Sequence, residues 1–246
     1  MSRYRNPPIV EAACEFRFSA DTPWEQDLPE RFYDAVKEWF PIRESRKEQA
    51  IRIKTGSEGI AENRLEKIEV PVFMAGDRKT LVQIGPRRLS IHRLKPYRSW
   101  EDFRTTINLA YSTIASLTNV TGFDRIGLLY VDKIEIPGND VRLADYFTFY
   151  PHCGEGLPGD VMNFMVGCDF SYNGHRDICR LSLTRAMPER QNASAYLLTI
   201  DYFLARRNTV EPKNALLWVE VAHTAVTALF EGCVTGKLEK IFNQDG

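Results

Sequence analysis

The densest run of chemistry-bearing side chains lies between Arg78 and Arg98. Arg78, Lys79, Arg87, Arg88, Arg93, Lys95 and Arg98 occur there without an intervening acid, interleaved with His92, Tyr97 and Trp100. Guanidinium groups beside aromatic rings suit phosphate or single-stranded nucleic acid. The same residue types are enriched at protein–protein interfaces. A third possibility is a solvated hairpin whose cations lie along apolar surface. All three remain open from the sequence.

Three other groupings carry weaker signals. His152, Cys153, Cys168, His175 and Cys179 supply metal-ligand types, but no C-x₂-C or H-x₃₋₅-H spacing brings four of them together, so no metal is expected. Glu220-Val-Ala-His223 is half of a di-iron ligand pattern with no second copy, and it fits the polar face of a half-buried helix. Asp132, Glu135 and Asp201 could act as acid or base only if the fold buries them together. Dinucleotide, Walker, nucleophile-elbow and zincin motifs are all missing. No catalytic set and no cofactor is therefore expected.

These residues must be positioned by a mixture of strands and helices. Alternation predicts strands over 9–18, 42–54, 64–75, 80–84, 88–94, 125–136 and 195–204. Asp27-Leu-Pro-Glu30 and Ser99-Trp-Glu-Asp102 read as helix starts with early acids. The first helix should present Phe32, Val36, Trp39 and Phe40 on one face. The second should present Phe103, Ile107, Ala110, Tyr111, Ile114 and Leu117. A third helix over 213–230 should bury Ala215, Val219, Ala222, Val226, Leu229 and Phe230, with a short amphipathic segment at 238–242 behind it.

Asn173-Gly174 between two alternating runs, 162–172 and 175–184, predicts a two-residue hairpin with Cys168 opposite Cys179, and it puts Phe164, Val166, Cys168 and Phe170 on one buried face with Cys179, Leu181 and Leu183. Residues 64–118 and 161–231 repeat one order: strand, hairpin partner, strand, helix. The expected fold class is therefore α+β, a mostly antiparallel sheet with about three main helices, organised as two quasi-repeated βββα units. Residues 1–246 should form one domain, with half-units at 1–137 and 138–246.

Over 43–98, 14 basic residues face 7 acidic ones, and the rest of the chain carries −8, giving the overall −1 of the 246-residue sequence. A uniformly basic polyanion binder is excluded, but a local anionic partner is not. With 43% hydrophobic and 11% aromatic residues the chain can bury a real core, which excludes disorder. The N-terminus has no apolar h-region, no stretch is long enough to cross a membrane, and the five cysteines are irregularly spaced. Together these predict a cytoplasmic protein with no membrane partner.

Tyr4-Arg-Asn-Pro-Pro-Ile-Val-Glu-Ala-Ala-Cys-Glu-Phe-Arg-Phe18 resembles the N-terminal signature of a sporadically distributed bacterial family of about this length. Arg125-Ile-Gly-Leu-Leu-Tyr-Val-Asp-Lys-Ile-Glu-Ile-Pro137 resembles its second hallmark. Leu198-Thr-Ile-Asp201, His223 and Phe230-Glu231 through Thr235 resemble a third. The resemblance carries no activity, cofactor or catalytic set. Patchy occurrence implies mobile DNA, toxin–antitoxin or antiphage defence loci. The resulting expectation is a non-catalytic accessory protein that binds a partner protein through the surface near 78–98. Nucleic-acid or nucleotide binding by that segment, an enzyme of unrecognised type, and a homodimer stay open.

Overall fold

The structure is a computed structural model that describes residues 4–55, 61–154, 156–157 and 161–243, with side chains described outside 48–68. Its strands are β1 (Ile9–Phe18), β2 (Ile42–Thr55), β3 (Ala61–Met74), β4 (Thr80–Gly85), β5 (Arg88–Leu94), β6 (Phe123–Pro137), β7 (Met165–Tyr172), β8 (Asp177–Ala186) and β9 (Ala193–Leu204). The helices are α1 (Leu28–Val36), α2 (Trp100–Leu117), α3 (Ala215–Cys233) and α4 (Gly236–Phe242). All nine strands join one antiparallel sheet in the order β2-β3-β4-β5-β1-β6-β9-β8-β7.

Period-two alternation sorts the sheet into two faces. Ala12, Cys14 and Phe16 on β1, Ile126, Leu128 and Tyr130 on β6, and Leu198, Ile200 and Tyr202 on β9 share one core with the four helices. The intervening residues form an open face with a small cluster of its own, Val72, Met74 and Leu81. Ser99 caps α2 by accepting from the Asp102 amide at 3.1 Å. Asp27 makes no such cap; its carboxylate lies 3.7 Å from Arg31 instead. Trp39, expected on the buried face of the first helix, is 53% exposed because α1 ends at Val36. The helix α3 is long and apolar enough to cross a membrane by composition, yet Trp218, Val219, Ala222, Val226 and Phe230 are buried in the core it shares with the sheet.

The chain order reveals an internal correspondence about the β1–β6 pair. In the N-terminal half β1 is flanked in turn by β5, β4 and β3, and α2 follows β5. In the C-terminal half β6 is flanked by β9, β8 and β7, and α3 follows β9. In this correspondence β6 belongs with the C-terminal strands. The halves differ at their rims. The outer edge of β3 is covered by β2, paired from Ile42↔Met74 to Thr55↔Ala61. The equivalent β7 ends the sheet.

The Asn-Gly hairpin forms, but with a wider loop than expected. Tyr172 pairs with Asp177, so the loop spans four residues, and Cys168 lies opposite Leu181 while Cys179 lies opposite Phe170. Asn173, Gly174 and His175 all take positive φ. The cause is Asp177, a fully buried carboxylate. Asn173 (2.7 Å), Arg176 (2.7 Å), Tyr202 (3.2 Å) and Trp218 (2.8 Å) all donate to it. The extra loop residues let Asn173 and Arg176 reach it. The slip moves each strand by one, so the faces are preserved. Cys179, Leu181 and Leu183 are buried as expected, but Cys168 and Phe170, expected beside them, are exposed because β7 is the outermost strand.

Candidate functional site

The basic segment is split across two ends of a hairpin. Arg78 and Lys79 sit in the turn before β4, and Arg87 sits in the turn after it, about 17 Å away at the usual rise per residue. Lys95 and Arg98 follow β5 at the first end, where the Leu94 amide bonds the Lys79 carbonyl. Arg78 pairs with Glu44 at 2.8 Å, and Arg87 donates to the Thr22 carbonyl at 3.3 Å. His92 binds Glu11 at 2.8 Å, and this hydrogen bond holds the Glu11 carboxyl below its ordinary range. Arg88 is half-buried on the open face. Arg93 is buried against Asp77, Thr80 and Asp102, and Tyr97 is buried with its hydroxyl 3.2 Å from that of Tyr130. The side chains of Arg93 and Tyr97 therefore hold the fold together and present no contact surface.

The candidate acid–base residues also separate. Asp201 lies on the open face, whereas Glu220 and His223 line a polar seam between α2 and α3. There Glu220 accepts from Trp100 Nε1 at 3.2 Å and Arg104 at 3.3 Å. His223 stacks on Trp100 with centroids 3.8 Å apart and lies 3.3 Å from the Tyr130 hydroxyl. Burial pushes the His223 imidazole down to about 4. Asp132 is buried on the core face, and both its oxygens lack a hydrogen-bond partner among the described residues. Burial pushes its carboxyl up to about 8. Glu135, on the open face, accepts the Glu189 amide at 2.6 Å.

His152 and Cys153 lie in an exposed loop, and His175 is hydrogen-bonded to Ser171 at 2.8 Å. Among the described residues no three His, Cys, Asp or Glu side chains form a group that could hold a metal ion.

Across the open face runs an alternating row of charges. Glu15 on β1 accepts from Arg125 on β6 at 3.2 Å, and Arg125 donates to both oxygens of Asp201 on β9 at 2.9 and 2.8 Å. Arg180 on β8 adds its field to Asp201 and is itself paired in two places with Asp169 on β7, at 2.8 and 2.7 Å. The guanidinium groups of Arg125 and Arg180 both lie over the Phe203 ring, at 5.0 and 5.8 Å. Gly127 makes the central link possible. A Cβ there would stand 2.2 Å from Arg125 Nη1, so the guanidinium lies flat over the glycine to reach both carboxylates.

The row stops at β7, and so does the sheet. Four of the nine large apolar side chains exposed among the described residues lie on β7 or in the segment that leads into it: Val161, Met162, Met165 and Phe170. Val166, Cys168 and Phe170 share the core-side face of β7, and Gly167, Asp169 and Ser171 share the open face. Beside the Met165 end a cavity of about 390 Å³ opens between Met162, Phe164, Arg185, Tyr196 and Cys153. Arg185 closes one wall by donating to the Met162 carbonyl at 3.0 Å.

None of these exposed apolar side chains was singled out as a binding residue from the sequence; Cys153 and Cys168 nearby were weighed only as metal-ligand types. The available signal was negative: 162–172 contains no Lys, Arg or Pro, and Asp169 is its single charge. No protein-family model, no curated protein and no solved structure matches this chain.

Proposed function

We propose that the protein is a non-catalytic, partner-binding accessory protein of the cytoplasm, and that its docking surface is the β7 rim rather than the segment 78–98. The observation that carries this reading is the outer strand β7, which ends the sheet among the described residues and carries exposed Met165 and Phe170, with exposed Met162 just before it. Met162 is 86% exposed and Met165 is 80% exposed. Exposed apolar side chains on both faces of an outer strand suit an added strand, and methionines adapt to varied partner shapes. Resemblance to the sporadic bacterial family supports a partner encoded nearby, in a defence or toxin–antitoxin locus. Co-purification from cells that carry the neighbouring genes tests the proposal. Changing Met165 and Phe170 together to Ser should reduce partner recovery at least tenfold while leaving the melting temperature within a few degrees. Undiminished recovery would reject the rim as the docking surface.

Nucleic-acid or nucleotide binding is the alternative. It is favoured by Lys79, Lys95 and Arg98, which gather at one end of the β4–β5 hairpin with no ion pair among the described residues. It requires a salt-dependent gel shift that these three changed to Ala abolish. Unchanged binding removes it.

A further inference from the structure

Resting on that partner-binding reading, we infer that β7 takes an extended segment of the partner protein as a tenth, antiparallel strand. The segment presents a Lys or Arg opposite Asp169, flanked on both sides by apolar residues. Two independent features lead to this mode. The first is the internal correspondence. β3 and β7 occupy equivalent places, and the outer edge of β3 is covered along its length by the antiparallel strand β2. The C-terminal half has no strand in that place among its described residues, although β7 offers the same kind of edge. Strand addition satisfies such an edge through main-chain hydrogen bonds, and side chains on alternate positions supply specificity.

The second feature is the charge row. Read strand by strand it runs Glu15, Arg125, Asp201, Arg180, Asp169, alternating in sign and ending on an anion at the open rim. The next strand continues the alternation only with a cation on its open-face side. Its neighbours at plus and minus one then fall on the core side, beside Cys168 and Phe170, where apolar groups fit.

This pattern also separates a partner from a second copy of the chain. On its open-face side β7 carries only Met165, Gly167, Asp169 and Ser171. A symmetric β7–β7 pairing would therefore set Asp169 against a neutral residue or against another Asp169. It would never supply the cation.

The test uses the full chain and a short blocked peptide that alternates Val with Thr and carries one central Arg on the Thr side. Companion peptides carry Glu at that position, or N-methyl groups on the amides that would face β7. Fluorescence anisotropy reports affinity, and hydrogen exchange reports protection of the 165–172 amides. The Arg peptide should protect those amides and bind about threefold to fivefold more tightly than the Glu peptide, as expected for one cross-strand ion pair. Asp169→Lys should reverse the order, and Asp169→Asn should erase it while keeping the fold. The N-methylated peptide should lose binding.

Equal affinities, protection outside β7, or undiminished binding of the N-methylated peptide would overturn strand addition. So would concentration-dependent protection of β7 in the protein alone, because a second copy would then be the occupant. If partner capture depends on Met165 and Phe170 but β7 amides stay unprotected, this inference fails and the docking proposal stands. If capture survives those substitutions, the docking proposal itself has failed.

Discussion

Two buried aspartates show opposite solutions to the same electrostatic problem. Desolvation works against the Asp177 carboxylate, but the bonds from Arg176, Trp218 and Asn173 hold it below its ordinary range. Asp177→Ala would strand those donors inside the protein. It should cost on the order of 3 kcal/mol or more in chemical denaturation. Asp132 has no such donors among the described residues, and burial raises its carboxyl to about 8. The folded state therefore holds its proton more tightly than the unfolded chain, where an aspartate titrates near 3.9. Stability from this group is complete below about pH 4 and falls as pH rises to about 8, at about 1.4 kcal/mol per pKa unit. His223 has the opposite sign. Its imidazole is lowered to about 4, so its contribution is complete above pH 6.5 and falls as pH drops towards 4. Between those limits the two slopes oppose each other, and above pH 6.5 only the Asp132 loss remains. Denaturation midpoints at pH 6.5 and 8 should therefore differ in the wild type and converge in Asp132→Asn. A difference that persists in the variant would assign the slope elsewhere.

At the scale of elements, Ser99→Ala should destabilise the protein by about 1 kcal/mol, because the Asp102 amide loses its only side-chain acceptor at the α2 start. Asp27→Ala should change little, since that carboxylate makes no cap. Both helix starts were legible in the sequence, and so were all nine strands to within a few residues. Local pattern is enough for these, because alternation and capping act over a few residues. The hairpin loop was misread for the same reason. Asn173-Gly174 favours a two-residue turn locally, but the bonds from Asn173 and Arg176 to Asp177 decide the register, and Asp177 is also held by Tyr202 and by Trp218 on α3. The charge concentration at 78–98 was legible as composition. That Arg93 and Tyr97 turn inward and that β4 separates Arg78 from Arg87 depends on strand pairing, which composition does not encode. Alternation put Phe170 in the buried set and gave Asp169 no role, because an edge is defined by what fails to pair with it.

At the scale of the whole molecule, the sheet divides into two corresponding halves whose central joint is the antiparallel β1–β6 pair, from Ile9↔Asp132 to Phe18↔Phe123. Gly127 sits on this joint and lets Arg125 clamp Glu15 of one half to Asp201 of the other. Gly127→Ala should displace that guanidinium and loosen the joint by about 1–2 kcal/mol, measured as a lower denaturation midpoint with an unchanged slope. The covalent connection between the halves is short, running from the end of α2 at Leu117 to the start of β6 at Phe123. Each half carries its own meander and its own long helix, and the surface each lacks is the one the other provides. A chain severed between Thr118 and Gly122 therefore has the makings of a complementing pair. Neither piece is a complete fold, and together they restore the central β1–β6 seam without a peptide bond across it.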